Sequence, residues 1–117
     1  MLAHAVTDAL LGAATLPDIG HLFPDTDPQY AGADSMALLG QAVRAIRGKG
    51  MRPLHIDATI IAERPKMAPH IAAMRTNIAA ACGVAADAVN VKATTTEGMN
   101  DEGRGLCISA QAIASVV

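Results

Sequence analysis

Apolar residues recur at helical intervals in two segments before residue 50. The first covers residues 2–16, and Pro17 ends it because proline cannot continue a helix. Asp34 or Ser35 can cap a second helix, which stops at Gly48. The residues expected on one face of this helix are Ser35, Leu38, Leu39, Ala42, Val43 and Ile46. The pattern therefore predicts two amphipathic helices ahead of the first strand.

The rest of the chain alternates between strand and helix patterns. Residues 54–62 alternate between apolar and polar side chains, as a half-buried strand does. A third helix begins near Pro69 and stops at Gly83, and residues 88–96 then form a second strand. Apolar positions between 106 and 116 mark a last strand. The inward face of the first strand is predicted to carry Leu54, Ile56, Ala58, Ile60 and Ala62.

This element order, α-α-β-α-β-β, predicts an α/β fold with α+β character. We expect a mixed sheet of three to four strands with helices on one face. The unit formed by residues 54–62, the third helix and residues 88–96 is a βαβ crossover, which is right-handed in nearly all proteins. A length of 117 residues corresponds to one domain, spanning residues 1–117.

Composition narrows the class of protein. The chain is 51% apolar and 17% charged, which excludes a disordered chain, and its apolar runs are too short for a membrane helix. A net charge of −2 with one Phe, one Tyr and no Trp argues against nucleic-acid binding. The start of the chain shows no signal-peptide pattern, and we expect a cytoplasmic protein. The many alanines make a core of small side chains, which favours oligomerisation. Cys82 and Cys107 could form at most one disulfide, and in a reducing compartment we expect them to be small buried thiols instead.

Two N-terminal groups could carry chemistry. His4 and Asp8 lie four residues apart on the first helix and therefore share a face, either as a metal-ligating pair or as an ordinary surface pair. Three acids in the next loop, Asp18, Asp25 and Asp27, could hold a cation or meet sugar hydroxyls, or could simply be turn residues.

Two later loops offer phosphate-binding chemistry. The segment ERPKMAP carries Arg64 and Lys66, which could meet a base and a phosphate or could form a solvated connection. The second strand runs into three threonines, residues 94–96, whose hydroxyls could bind phosphate oxygens or could reflect strand propensity alone. Arg104 in the following loop could pair with a phosphate bidentately.

Taken together, these segments resemble one family. HAVTDALLGAATLPDIGHLFPDTDPQYAGADS, DATIIAERPKMAPHIAAMRTNIA, VNVKATTTE and GRG resemble the 2-C-methyl-D-erythritol 2,4-cyclodiphosphate synthases, in the same order and over nearly the whole chain. The resemblance implies a homotrimer with active sites between neighbouring subunits. It also implies conversion of 4-diphosphocytidyl-2-C-methyl-D-erythritol 2-phosphate to the cyclic diphosphate and CMP, with a zinc ion and a magnesium or manganese ion as cofactors.

The resemblance also implies residue roles. His4 resembles a zinc ligand with Asp8 beside it, Thr95 the threonine that stabilises the transition state, and Glu97 a ligand of the second metal. Arg104 resembles the arginine near the trimer axis. The residues that resemble the sugar-binding segments are Asp18, Ile19, Gly20, Phe23, Pro24, Asp25, Thr26 and Asp27. The residues that resemble the cytosine pocket are Ala62, Glu63, Arg64, Pro65, Lys66, Met67 and Ala68. The residues that resemble the diphosphate-binding segment are Thr94, Thr95, Thr96 and Glu97.

The sequence departs from the family at three places. The family's chain begins earlier, with an Asp-x-His motif and a second functional histidine, so we expect two of three zinc ligands to be missing from these 117 residues. This leaves an alternative, a catalytically weak or inactive homologue that binds cytidine nucleotides or acts as a structural trimer. Residues 98–101 read Gly-Met-Asn-Asp where the family has Lys-Leu-Gly-Phe, so Asp101 would make the central cavity less apolar. Leu106 replaces a glutamate.

Overall fold

A computed structural model of the chain describes residues 2–22, 35–64 and 66–117. The helices in these ranges are α1 (Leu2–Ala13), α2 (Ile19–Leu22), α3 (Ser35–Gly48), α4 (Ile71–Cys82) and α5 (Asn100–Gly103). The strands are β1 (Pro53–Ile61), β2 (Val89–Thr94) and β3 (Ser109–Val116). The described part of the chain contains no helix with the length and apolar character needed to cross a bilayer.

The described strands form one mixed sheet in the order β2-β1-β3. β1 is parallel to β2 and antiparallel to β3, so the central strand is paired on both sides. Helix α4 lies between β1 and β2 in the chain and makes the crossover that a parallel pair requires. The expectation of a mixed sheet with helices is thereby confirmed. The two four-residue helices α2 and α5 were not predicted.

The core lies on one face of this sheet. Ile56, Ala58 and Ile60 alternate inward from β1 and are buried against α1, α3 and α4. The buried residues of α3 are Leu38, Leu39, Ala42, Val43 and Ile46, which matches the predicted face apart from the half-buried Ser35. The opposite sheet face is more open, and Ile113 of β3 is 76% exposed there.

Helix α1 is shorter than the sequence pattern predicts. It ends at Ala13 rather than at residue 16, because Thr15 adopts a left-handed conformation with φ of 57°. The chain then turns back, and the backbone N–H of Leu16 donates to the carbonyl of Leu11 at 2.9 Å. Lys49 Nζ closes this helix end by donating to the carbonyls of Ala14 and Thr15.

Three residues, Leu54, Leu106 and Cys107, are more exposed than predicted. Leu54 is 46% exposed because an irregularity in register between Pro53 and His55 turns Pro53 inward instead. Leu106 is 70% exposed because β3 begins only at Ser109. Cys107 is exposed whereas Cys82 is buried, so the expectation of two buried thiols is wrong for Cys107.

Candidate functional site

The carboxyl ends of the parallel strands β1 and β2 bring two predicted segments together. Ile61 is in register with Thr94, and the backbone N–H of Ala62 donates to the carbonyl of Thr94 at 3.0 Å. The two loops therefore leave the sheet side by side. Farther out, a Cβ built on Gly105 would lie 3.3 Å from Nε of Arg64, so the guanidinium rests against the second loop. Loops at this edge of a parallel sheet commonly form binding sites.

The second loop, residues 95–105, makes a tight turn directly after the strand. The strand ends at Thr94, so the predicted strand over residues 88–96 is two residues too long at this end. The Thr95 hydroxyl accepts a hydrogen bond from the backbone N–H of Glu97 at 3.2 Å. Glu97 itself has a φ of 56°, which an ordinary side chain rarely adopts. The turn leaves Thr95 and Glu97 exposed and Thr96 half-buried.

The loop closes on itself through residues that lie outside the predicted site. Asn100 Oδ1 lies 3.0 Å from Oγ1 of Thr96 and 3.3 Å from the backbone N of Gly103. Gly103 is buried, and a Cβ at that position would lie 2.5 Å from the carbonyl carbon of Gly98. The sequence signal for this turn was the run of Gly and Asn residues, which tolerate left-handed conformations.

The N-terminal turn of α1 lies at the same end of the sheet. Leu2 lines an apolar groove together with Ile60 near the end of β1 and with Met67 of the ERPKMAP segment. His4 and Asp8 are both exposed on this helix, four residues apart on one face. The structure thus places the helix turn that carries His4 near the loops that follow β1.

Asp18 lies beyond the other end of α1. Its Oδ1 accepts from the backbone N–H of His21 at 3.0 Å and lies 2.8 Å from Nδ1 of the same residue. These hydrogen bonds lower the pKa of the Asp18 carboxyl from its ordinary value of 3.8. Ile19 is half-buried and Gly20 is exposed in the short helix α2.

Asp18 and Thr95 are therefore not brought together within one chain. Helix α1 has twelve residues and spans about 18 Å. Its first turn lies beside the end of β1, whereas its last carbonyls meet Lys49, which precedes β1. The segment at residues 18–20 follows that far end, so one chain presents two separate halves of the predicted site.

The remaining predicted residues divide by exposure. Ala62 is buried and Met67 is half-buried. The exposed members of the set are Glu63, Arg64, Lys66, Ala68, Thr94 and Arg104. The predicted residues that lie outside the described residues are Phe23, Pro24, Asp25, Thr26, Asp27 and Pro65.

The described residues do not form a metal centre by themselves. Within residues 2–22, 35–64 and 66–117, no three His, Cys, Asp or Glu side chains are grouped closely enough to hold a metal ion. A protein zinc site uses at least three protein ligands. His4 and Glu97 therefore do not complete the expected metal sites from within the described chain.

Comparison with known proteins gives consistent matches over the whole chain. The model of the YgbB family matches residues 1–117. The 2-C-methyl-D-erythritol 2,4-cyclodiphosphate synthase of Trichlorobacter lovleyi is 57% identical over 117 residues, which are 100% of this chain and 74% of that protein.

Solved structures agree with the sequence matches. The bifunctional IspDF from Campylobacter jejuni is 42% identical with a TM-score of 0.91, and the match covers 98% of this chain but 31% of that longer one. A CDP-bound form of 2C-methyl-D-erythritol-2,4-cyclodiphosphate synthase is 33% identical with a TM-score of 0.85, and the match covers 98% of this chain and 74% of that one.

Proposed function

The chain belongs to the YgbB family, and from that membership we propose that it is a 2-C-methyl-D-erythritol 2,4-cyclodiphosphate synthase. Relatives with that name are 54–57% identical to it. The structural observation that carries the proposal is the common edge of β1 and β2, where the Ala62 N–H meets the Thr94 carbonyl at 3.0 Å. That contact sets the predicted cytosine pocket beside the predicted diphosphate segment. We also propose that residues 1–117 act as one domain, in the cytoplasm.

The proposed reaction is an intramolecular displacement at phosphorus. An oxygen of the 2-phosphate forms a bond to the β-phosphorus of the diphosphate. The bond from that phosphorus to the oxygen bridging to the α-phosphorus breaks, and CMP leaves with that oxygen. Two anionic groups must approach each other, so positioning and charge stabilisation supply most of the rate enhancement.

The residues of the two loops have distinct proposed tasks. Backbone groups of residues 62–68 bind the cytosine edge, which supports binding of a cytidine nucleotide like the CDP in a related structure. The Thr95 hydroxyl accepts from the Glu97 N–H and so keeps its own proton available for a phosphate oxygen. Arg64 rests against Gly105 at the junction of the loops. Its positive charge offsets the negative charge of the diphosphate.

The proposal that metal ions take part in the reaction is supported by the family alone. Zinc and magnesium or manganese would supply further charge neutralisation at the diphosphate. His4 would contribute one ligand to the zinc ion, with Asp8 beside it. Glu97 would contribute one ligand to the second metal ion. The other ligands would come from outside the described residues.

A homotrimer with sites between subunits is also proposed. The separation of Asp18 from Thr95 along α1 supports it, because a complete site then needs both halves from neighbouring copies. On the open sheet face Ile113 is 76% exposed, and an assembly that covered this side chain would gain apolar burial. Sedimentation velocity at micromolar concentration should give the mass of three chains, and a stable monomer would refute the assembly.

The activity is tested by CMP release from 4-diphosphocytidyl-2-C-methyl-D-erythritol 2-phosphate with added zinc and magnesium. Thr95→Val removes the hydroxyl and should lower kcat by about 100-fold, as loss of one transition-state donor does. Thr76→Val is the matched control, since Thr76 is exposed on α4 and donates only to the Ala72 carbonyl. Absence of CMP release by the wild type would refute the proposed synthase activity. CMP binding without release would favour the nucleotide-binding alternative.

A further inference from the structure

The sheet face that points away from the helices carries one ion pair. The three described strands together contain a single acid and a single base, Asp57 of β1 and Lys92 of β2. Lys92 Nζ lies 2.8 Å from Oδ1 and 2.9 Å from Oδ2 of Asp57, and the amide of Asn90 donates to the same Oδ1 at 3.4 Å. The other titratable side chain of these strands is His55, and histidine is ordinarily neutral at pH 8. At that pH the strands therefore give this face no net charge.

The pair lies in a shallow depression in the middle of the face. The residues that line the depression are Asp57, Thr59, Lys92, Gln111 and Ile113. In a single copy the side chains of Lys92 and Asp57 remain 51% and 40% exposed. A pair in such contact with water adds little to the stability of one chain. The same pair would matter far more if another surface covered it and removed that water.

Two observations indicate that other copies of the chain cover this face. Parallel strands are usually buried on both faces, but α1, α3 and α4 pack against only one face of the parallel pair β1 and β2. On the open face Ile113 is 76% exposed. In addition, Asp18 and Thr95 lie at different ends of α1, so a complete site needs segments from neighbouring copies. Further copies are thus a partner that the proposed site itself calls for.

A symmetric assembly repeats every charge on the surface that its copies share. In a homotrimer each side chain occurs three times around the axis. Three unpaired carboxylates, or three unpaired ammonium groups, would repel one another across a surface that loses water. Because each copy carries both Asp57 and Lys92, bound to each other, identical faces can meet without this repulsion.

We propose that the open face of the sheet is the surface through which copies of this chain associate, and that Lys92 permits the association by neutralising Asp57 within each copy. The inference rests on the homotrimer of the proposed function and names the surface and the ion pair on which it depends. It assigns neither side chain a contact with substrate.

The test measures assembly by sedimentation velocity at pH 8 over a dilution series. Lys92→Met leaves unpaired carboxylates and Asp57→Asn leaves unpaired ammonium groups. Each should raise the concentration of half-dissociation by about 10- to 100-fold. The double variant, Asp57→Asn with Lys92→Met, removes both charges and should return that concentration to within about threefold of the wild type. Arg44→Met is the matched control, because it removes one exposed cation from the helix layer and should leave assembly unchanged.

Circular dichroism of each variant checks that the fold is retained, as the exposure of the pair in a single copy predicts. Single variants that assemble as tightly as the wild type would place the contact between copies on another surface and overturn the inference. A double variant as weak as the single variants would overturn it as well, because neutrality would then not be what matters.

Sedimentation needs no substrate, so it separates this inference from the proposed activity. A wild type that releases CMP as a monomer overturns the inference and leaves the activity standing. A wild type that forms a trimer but releases no CMP refutes the activity alone, and the charge variants then decide the inference. A monomer that releases no CMP overturns both.

Discussion

Replacing Gly103 with alanine tests how tightly the loop after β2 is packed. Gly103 lies in α5 and is buried, and its φ is not in the left-handed region, so its backbone would accept alanine. The loss of stability therefore comes only from the close contacts that the new Cβ would make. The new Cβ would lie 2.5 Å from Oγ1 of Thr96 and 2.8 Å from Cα of Gly98.

The expected magnitude follows from those distances. Non-bonded carbon atoms sit best at about 3.5–4.0 Å, so the two sides of the loop must separate by about 1 Å. Overpacking of this kind costs about 1–3 kcal/mol. Alanine returns up to about 1 kcal/mol through its helix propensity. We expect Gly103→Ala to lower the free energy of unfolding by about 1–2 kcal/mol.

Urea unfolding followed by circular dichroism measures this change, with Gly12→Ala as the control. Gly12 is exposed within α1, and a Cβ there would meet nothing within 4 Å. That substitution should raise the free energy of unfolding by about 0.5–1 kcal/mol, because alanine is the better helix former. The two variants thus move in opposite directions. A Gly103→Ala variant as stable as the wild type would refute the close packing of the loop.

Three further expectations concern the rest of the molecule. Lys49→Met should lower the free energy of unfolding by about 1 kcal/mol in urea titrations, because it removes the donor that caps α1; no change would show that the cap is dispensable. Lys92 holds the pKa of Asp57 below its ordinary value of 3.8. This pairing stabilises the fold above about pH 4 and is lost as pH falls through the lower folded pKa, so the stability advantage of the wild type over Asp57→Asn should shrink from about pH 6 to pH 2. An advantage that is independent of pH would contradict the pairing. Iodoacetamide at about pH 8 should label only Cys107 in the native protein, because burial raises the pKa of Cys82 to about 11; two labels without denaturant would contradict that burial.

The sequence predicted those features of the fold that depend on residues close together in the chain. Leu38 and Ile46 lie on the predicted face of α3, since helical spacing alone decides which side chains face the core. Gly83 ends α4 with a φ of 70°, as a glycine after a helix often does. Leu54 was misplaced because the register of β1 against β3 depends on a strand far along the chain.

The candidate site was only partly predictable for the same reason. The resemblance named Thr95 and Glu97, and the structure sets their segment beside Ala62 through strand pairing. The contact between Asn100 and Thr96 depends on a fold-back of the loop, which no periodic pattern encodes. Likewise, the distance between the segment at residues 18–20 and Thr95 follows from the direction of α1 across the sheet.

The central place of β1 also constrains the order in which the protein folds. β1 pairs with β2, from which a single crossover helix separates it in the chain. The other edge of β1 is paired only when β3 is in place, with Pro53 opposite Val116. A pairing between residues so distant in sequence forms slowly, because the intervening chain must first be closed into a loop. Until then one edge of the most buried strand is bare and open to pairing with another chain. We therefore expect refolding yield to fall with protein concentration more steeply than native stability alone would suggest.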